Sequence, residues 1–446
     1  MQKRLKKDLN LAGVFCVATG AMISSGLFIL PGLAFYRAGP AVIASYIIAA
    51  ILCIPTLLSK AELITAMPRA GGDYFYIMRG FGPLLGTIAG FSSWFSMSMK
   101  GAFALLGMGA YLSLITQIPL NMIAFYLCIF FIFLNLVGVK EAAKVQVFLV
   151  VGLLSILTIY IVWGMRYVSV ANFSPFFSKG MGSVFATASF VFISYGGLTK
   201  VAALAEEIDN PGRNLPLGLI ASLVVTSIFY CLVIYVTIGV LKPHVLENTL
   251  IPISAGAGAF GGDILKTLIS ICAFLAFIST ANASIMAASR YPLGMSRDKL
   301  LPAYFQKINS KFKTPHIAIV VTGLFMLCVI VFLRLELLVK VASSILILLF
   351  IFANLTLILF RESKILSYKP KFHSPCYPYI QIIGILAGIF LLIEMGTVIV
   401  FLTAVFVFVG FIWYRFYAQK RATQDSALIH ALERLVIKDK ELASDN

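Results

Sequence analysis

The sequence predicts an all-α protein that crosses a membrane about twelve times. Of its 446 residues, 60% are hydrophobic and only 12% are charged, and the mean hydropathy is +0.98. A water-soluble fold cannot hide that much apolar side chain, because its surface would be largely greasy. The apolar residues also come in runs of ~20, the length a helix needs to cross roughly 30 Å of hydrocarbon. Short segments carrying much of the Lys and Arg separate the runs.

In chain order the runs fall near residues 10–37, 40–66, 83–114, 119–138, 141–166, 181–206, 215–241, 263–292, 315–333, 335–360, 378–395 and 397–417. Only the stretch from Glu394 to Thr397 parts the last two. The first run is too long for a signal peptide and has no convincing small-residue cleavage site, so it is expected as a retained first helix. The segment 298–315 is basic and aromatic, punctuated by Pro302 and Pro315, and is expected as a half-buried interfacial loop. Residues 1–9 and 418–446 form polar tails. In the second, Leu428, Leu432, Leu435 and Val436 share one helical face, which is expected to rest on the membrane surface or on the bundle.

The formal charge of +17 does not indicate a nucleic-acid partner, because its distribution follows the loops. With the N-terminus placed in the cytoplasm, most of the 35 lysines and arginines fall in cytoplasmic segments. The positive-inside rule therefore places both termini in the cytoplasm of an inner or plasma membrane, and an even span count agrees. The seven cysteines lie mostly within apolar runs without CxxC spacing, and the four histidines are scattered, so neither a metal site nor a disulfide framework is expected. There is no phosphate-binding glycine loop and no candidate catalytic triad. An enzyme, a bound cofactor and an accessory subunit are not implied.

Two runs are interrupted where a helix should be continuous. The first interruption is Gly20-Ala21-Met22-Ile23-Ser24-Ser25-Gly26-Leu27-Phe28, with Pro31-Gly32 beyond, and the second is Phe192-Ile193-Ser194-Tyr195-Gly196-Gly197-Leu198-Thr199. Gly and Ser weaken helix propagation, and Ser hydroxyls bond to freed backbone groups. Within a bilayer, unwound backbone is tolerated only against protein or a water-filled cavity. The breaks occupy the first and sixth runs, corresponding places in two five-helix halves, residues 10–166 and 181–360, followed by an extra pair at 378–417. That is the sequence pointer to an inverted-repeat transporter. Free N–H groups where the helix restarts near Gly26 are expected to hold a carboxylate. Free carbonyls near Phe192 to Ser194 are expected to accept hydrogen bonds from an ammonium. The competing reading of each Gly/Ser cluster is close helix packing.

Over essentially its whole length the chain resembles the amino acid–polyamine–organocation superfamily. The first break carries the resemblance together with Pro68-Arg69-Ala70-Gly71-Gly72-Asp73-Tyr74 and Glu206-Glu207-Ile208-Asp209-Asn210-Pro211-Gly212-Arg213-Asn214-Leu215-Pro216. Ser279-Thr280-Ala281-Asn282-Ala283-Ser284 and Ala288-Ser289-Arg290 complete it. The resemblance implies a LeuT-like fold of five plus five inverted helices with two more, and alternating access to a central site. It implies substrate contacts at Ile23, Ser24, Ser25, Gly26, Phe192, Ile193, Ser194, Gly196 and Leu198. Ser24 stands where relatives often have Gly, and Leu198 where many carry an aromatic gate. The resemblance also implies a candidate sodium site from Ala21, Ser279 and Thr280. Many sodium-independent relatives carry a lysine midway along the fifth helix, whereas Phe148 to Leu154 here contain no basic residue.

Three lysines, Lys60, Lys100 and Lys200, fall within apolar runs. A charge at the bilayer centre costs about 3 kcal/mol or more, so such residues are functional candidates by default. Lys100 is expected to contact a substrate group, or to deprotonate and stand in for a coupling cation. Its competing reading is a lysine snorkelling to the surface. Lys200, Glu206, Glu207 and Arg213 are expected at the cytoplasmic end of the sixth helix as gate or loop-anchoring pairs, with Arg69 as a further partner. No run shows an obvious deep carboxylate, so the cavity is expected to be positive and to prefer neutral or acidic amino acids. The expectation is a secondary active amino acid transporter driven by sodium, protons or exchange. The alternatives are a polyamine or organocation carrier and an amino acid sensor that does not transport.

Overall fold

A computed structural model gives the fold and describes residues 9–67, 72–138, 143–203, 208–365, 368–422 and 427–428. The described residues are helical almost throughout, apart from one parallel bridge between Leu9 and Ile208. Among them, nine helical stretches are long and apolar enough to cross a membrane, and three shorter apolar helices, Leu11–Met22, His316–Phe332 and Tyr379–Glu394, accompany them. Most of the C-terminal amphipathic segment lies outside the described residues.

The first predicted run becomes α1 (Leu11–Met22), a single turn α2 (Ser25–Phe28) and α3 (Leu30–Ala38). Asn10 starts it: its side-chain oxygen accepts the Gly13 N–H at 2.9 Å, satisfying a donor that the helix itself leaves free. α4 (Val42–Ala66) follows directly. The segment between the second and third predicted runs contains an amphipathic helix, α5 (Gly72–Phe81). α6 (Pro83–Thr116), α7 (Leu120–Val137) and α8 (Ala143–Gly164) follow.

Next in the chain are α9 (Met181–Val191), a 3-10 turn (Phe192–Tyr195) and α10 (Gly197–Ala203). α11 (Pro211–Val240), α12 (Pro243–Asn248), α13 (Pro252–Arg297), α14 (His316–Phe332) and α15 (Leu335–Ser363) come next. α13 is longer than the 263–292 expected because two helices join end to end at Gly262, whose φ of 65° only glycine adopts without strain. α16 (Tyr379–Glu394) and α17 (Thr397–Trp413) end the bundle.

Burial sorts the helices into two layers. α6 is buried along most of its length, and α1, α9 and α15 present mostly buried faces. α17 buries only Ile399, Thr403 and Gly410, so its many Phe and Val side chains face outward, as lipid permits. Buried polar side chains link helices across the bundle. Asn354 on α15 donates to Thr56 and accepts from Ser59, both on α4, at 2.8 Å each. Asn135 on α7 donates to Asn282 on α13 at 2.8 Å.

Candidate substrate site

Both predicted interruptions are present, and they lie against each other. α1 stops at Met22; Ile23 (φ −78°, ψ 80°) and Ser24 (φ −145°, ψ −118°) leave the helical region, and α2 restarts at Ser25. The N–H groups of Leu27 and Phe28 bond back to the Ser24 carbonyl at 3.1 and 3.0 Å. Ser25 and Gly26 are thus first-turn positions whose N–H groups have no partner within the turn. Opposite them, the 3-10 turn Phe192–Tyr195 separates α9 from α10, and every residue of it is buried. A Cβ on Gly26 would stand 2.7 Å from Ser194 Oγ and 2.8 Å from the Tyr230 hydroxyl. A Cβ on Gly197 would stand 2.8 Å from the Ala18 carbonyl oxygen. The glycines therefore serve close approach of the two breaks as well as unwinding.

Of the carbonyls expected to meet an ammonium, that of Ile193 accepts the Gly196 N–H at 3.0 Å, and several others around the breaks meet side-chain donors. Tyr230 on α11 donates to the Met22 carbonyl at 2.7 Å and sits 3.4 Å from that of Ser194. Tyr46 on α4 donates to the Gly26 carbonyl at 2.9 Å, and Tyr195 donates to the Tyr46 carbonyl at 2.9 Å. The three rings meet edge to face, Tyr230 against both others. Ser343 on α15 donates to the Phe190 carbonyl at 2.9 Å and accepts the Ile193 N–H at 3.3 Å. Thr199 donates to the Gly196 carbonyl at 2.7 Å. Sequence reasoning missed Tyr46, Tyr230 and Ser343. The signal for the first two was a tyrosine in the middle of an apolar run, which needs a buried hydrogen-bond partner.

Lys100 lies on the buried face of α6, 7% exposed, and its Nζ has no hydrogen-bond partner among the described residues. It borders a cavity of about 10 Å³ together with Ser96, Ile193, Gly196, Thr199 and Leu346, room for a single water. A lysine that snorkels to the surface would not be placed there, so the competing reading of Lys100 fails. Ser24 Oγ is likewise buried without a partner among the described residues. Leu198 is 1% exposed on α10, and Lys200 is half-buried on the same helix.

Asp73 also borders this cavity and is buried. Glu62, on α4, is fully buried, accepting from Arg361 at 2.8 and 2.5 Å, from Tyr368 at 3.1 Å and from the Ser374 N–H at 2.6 Å. Glu62 is thus a buried carboxylate near the end of α4, and Asp73 is a buried one outside the predicted runs. Both carboxylates sit beside a cation, Asp73 with Lys60 and Glu62 with Arg361. Arg213 is exposed in the first turn of α11. The expected partners Glu206, Glu207 and Arg69 lie outside the described residues.

Of the candidate sodium ligands, Ala21 and Thr280 are buried, and Thr280 Oγ1 has no partner among the described residues. Ser279, however, donates to Gln146 Oε1 at 2.8 Å. The Gln146 amide also lies against Gly20 on α1, so a neutral polar side chain from α8 occupies the space between α1 and α13. The sequence reading looked for a basic residue from Phe148 onward and passed over Gln146.

Comparison with known proteins decides the family. The model of the amino acid permease family matches residues 9–430. The chain belongs to the amino acid permease family. It is 28% identical over 442 residues to the branched-chain amino acid permease of Bacillus subtilis, covering 94% of this chain and 95% of that one. It is also 28% identical to the methylthioribose transporter of the same organism, over 93% of both chains. Cationic amino acid transporter 1 of Arabidopsis thaliana is 27% identical over 375 residues, 80% of this chain and 63% of that one. This permease is accordingly a multi-pass integral membrane transporter of the amino acid–polyamine–organocation superfamily and not an enzyme, and its family implies a LeuT-like fold and amino acid substrates.

Proposed function

We propose that this permease carries a neutral amino acid with an apolar side chain by alternating access at the paired breaks. The observation that carries the reading is the juxtaposition of the two interruptions, Ile23–Ser24 and Phe192–Tyr195, the second of which borders the cavity of Lys100. The first-turn N–H groups of Ser25 and Gly26 provide the carboxylate contacts, and the Ser24 hydroxyl adds a polar one. The ammonium exchanges places with a tyrosine or serine hydroxyl at one of the engaged carbonyls. Ile193, Leu346, Leu349 and Met97 line the cavity and offer an apolar wall. Lys100 disfavours a cationic side chain by repulsion. The name of the branched-chain permease agrees with the apolar wall; the methylthioribose transporter shows that the family also admits cargo of another kind.

The twelve-span arrangement belongs to the same proposal. α1 to α3 form the first span and α9 to α10 the sixth, and α4, α6, α7, α8, α11, α13, α14, α15, α16 and α17 supply the other ten. Both termini are cytoplasmic by the charge rule. Coupling is to protons or to exchange, because the Gln146 side chain, its amide against Gly20 and its Oε1 held by Ser279, occupies the space between α1 and α13.

The test is uptake into liposomes holding the purified permease, with a panel of neutral, acidic and cationic amino acids under separate sodium and proton gradients. Saturable uptake of a neutral amino acid, unaffected by replacing sodium with choline, is expected. Binding in detergent without counterflow in liposomes would instead identify a sensor, and competition by polyamines alone would identify an organocation carrier.

A further inference from the structure

Lys60 and Asp73 form an ion pair that the substrate contacts above do not use. Lys60 Nζ lies 2.7 Å from Asp73 Oδ2, each side chain 1% exposed. Tyr76 donates to the other oxygen, Oδ1, at 2.5 Å. Such a pair is a poor choice for mere stability, since water-excluded charges gain little over a well-packed apolar pair and are severely destabilising when one is left alone.

Two contacts tie the pair to the transport site. Lys60 Nζ lies 4.2 Å from the ring centroid of Phe350 on α15. Phe350 in turn meets Phe192 edge to face, with centroids 5.2 Å apart, and Phe192 is the first residue of the unwound turn. On its other side, Asp73 borders the small cavity that Lys100, Ser93, Ser96 and Thr199 also border. The pair thus connects α4 to α5, and both of its members abut groups that must move when the break between α9 and α10 opens or closes around cargo.

We propose that Lys60–Asp73 is a coupling latch: it holds α5 against α4 while the site is closed, and it separates when the α9–α10 break moves to release cargo on that side. Asp73 and Lys60 are then positioning residues that act through Phe350 and Phe192 without touching substrate. The inference rests on the transport reading of the paired breaks.

The test uses the full-length permease, with binding of the transported amino acid measured in detergent and counterflow measured in liposomes. Lys60→Met and Asp73→Asn should each bind within about threefold of the wild type while exchanging at least ~10-fold more slowly. Lys60→Met/Asp73→Asn should recover part of the exchange rate, because no buried charge is left alone. Exchange at the wild-type rate in either single variant overturns the latch. So does a slowing matched by an equal loss of affinity, or a double variant no faster than the slower single. Should a charge variant fail to fold, Phe350→Leu leaves the pair intact and removes its link to Phe192. It is expected to slow exchange without weakening binding, and an unchanged rate would again overturn the proposal. A wild-type protein that binds but never exchanges defeats the transport reading itself, a result distinct from variants that exchange normally.

Discussion

At the scale of single residues, Lys100 carries the most specific chemistry. Its ammonium is buried, has no partner among the described residues and borders a cavity of about 10 Å³. A merely structural buried lysine would be satisfied by a carboxylate. Lys100→Met should therefore fold well, since an apolar chain of similar length removes an unsatisfied buried charge, yet transport should drop at least ~10-fold. Lys100→Arg should not rescue it, because a planar guanidinium needs more room and more partners than the cavity offers. Measured uptake equal to wild type in Lys100→Met would remove the residue from the mechanism. Gly26 is a different case. Substitution by Leu looks from the sequence like a clean block of a carboxylate site, but even a methyl group there would press on Ser194 and Tyr230. Gly26→Ala is consequently expected to abolish binding by wedging the breaks apart, and thermal unfolding will show the strain alongside the lost affinity.

At the scale of elements, the breaks were legible because Gly and Ser clusters inside apolar runs contradict helix propagation locally. Ile23–Ser24 and Phe192–Tyr195 both fall inside the predicted windows. Which hydroxyl satisfies which carbonyl of the breaks was not legible. Tyr46 and Gly26 are 20 residues apart, Tyr230 and Met22 are 208 apart, and Ser343 and Phe190 are 153 apart. Such pairings depend on how the halves pack, and no local pattern announces them. The same holds for Gln146 and Ser279, 133 residues apart, and for the helix α5 hidden in a polar segment. Tyr230→Phe tests the element directly. It strips the Met22 carbonyl of a buried donor, a loss of about 1–3 kcal/mol. The expected result is a lowered unfolding midpoint together with weakened amino acid binding, whereas unchanged stability would mean that the break is satisfied in another way.

At the scale of the whole molecule, the bundle is fastened at both ends of its central helices, but unequally. At one end Arg37 on α3 pairs with Glu336 at the start of α15, and Lys340 joins at 3.0 Å. Arg37 also lies 4.3 Å from the ring centroid of Phe190 on α9, so this fastening joins α3 and α9, one part of each broken helix. Glu336 is 52% exposed, and exposed pairs contribute roughly 0–1 kcal/mol. At the other end Glu62 is fully buried and accepts from Arg361, Tyr368 and Ser374. Removing one partner of a buried pair costs roughly 3–5 kcal/mol. The weakly held end should therefore open first from the closed arrangement. Glu336→Gln is expected to leave the unfolding midpoint nearly unchanged and to raise labelling of cysteines introduced beside Arg37, because it loosens only the exposed fastening. Glu62→Gln should lower the midpoint by several degrees and increase labelling at the opposite end. Equal destabilisation by the two substitutions would contradict the asymmetry, since it would place comparable energy in an exposed pair and a buried one.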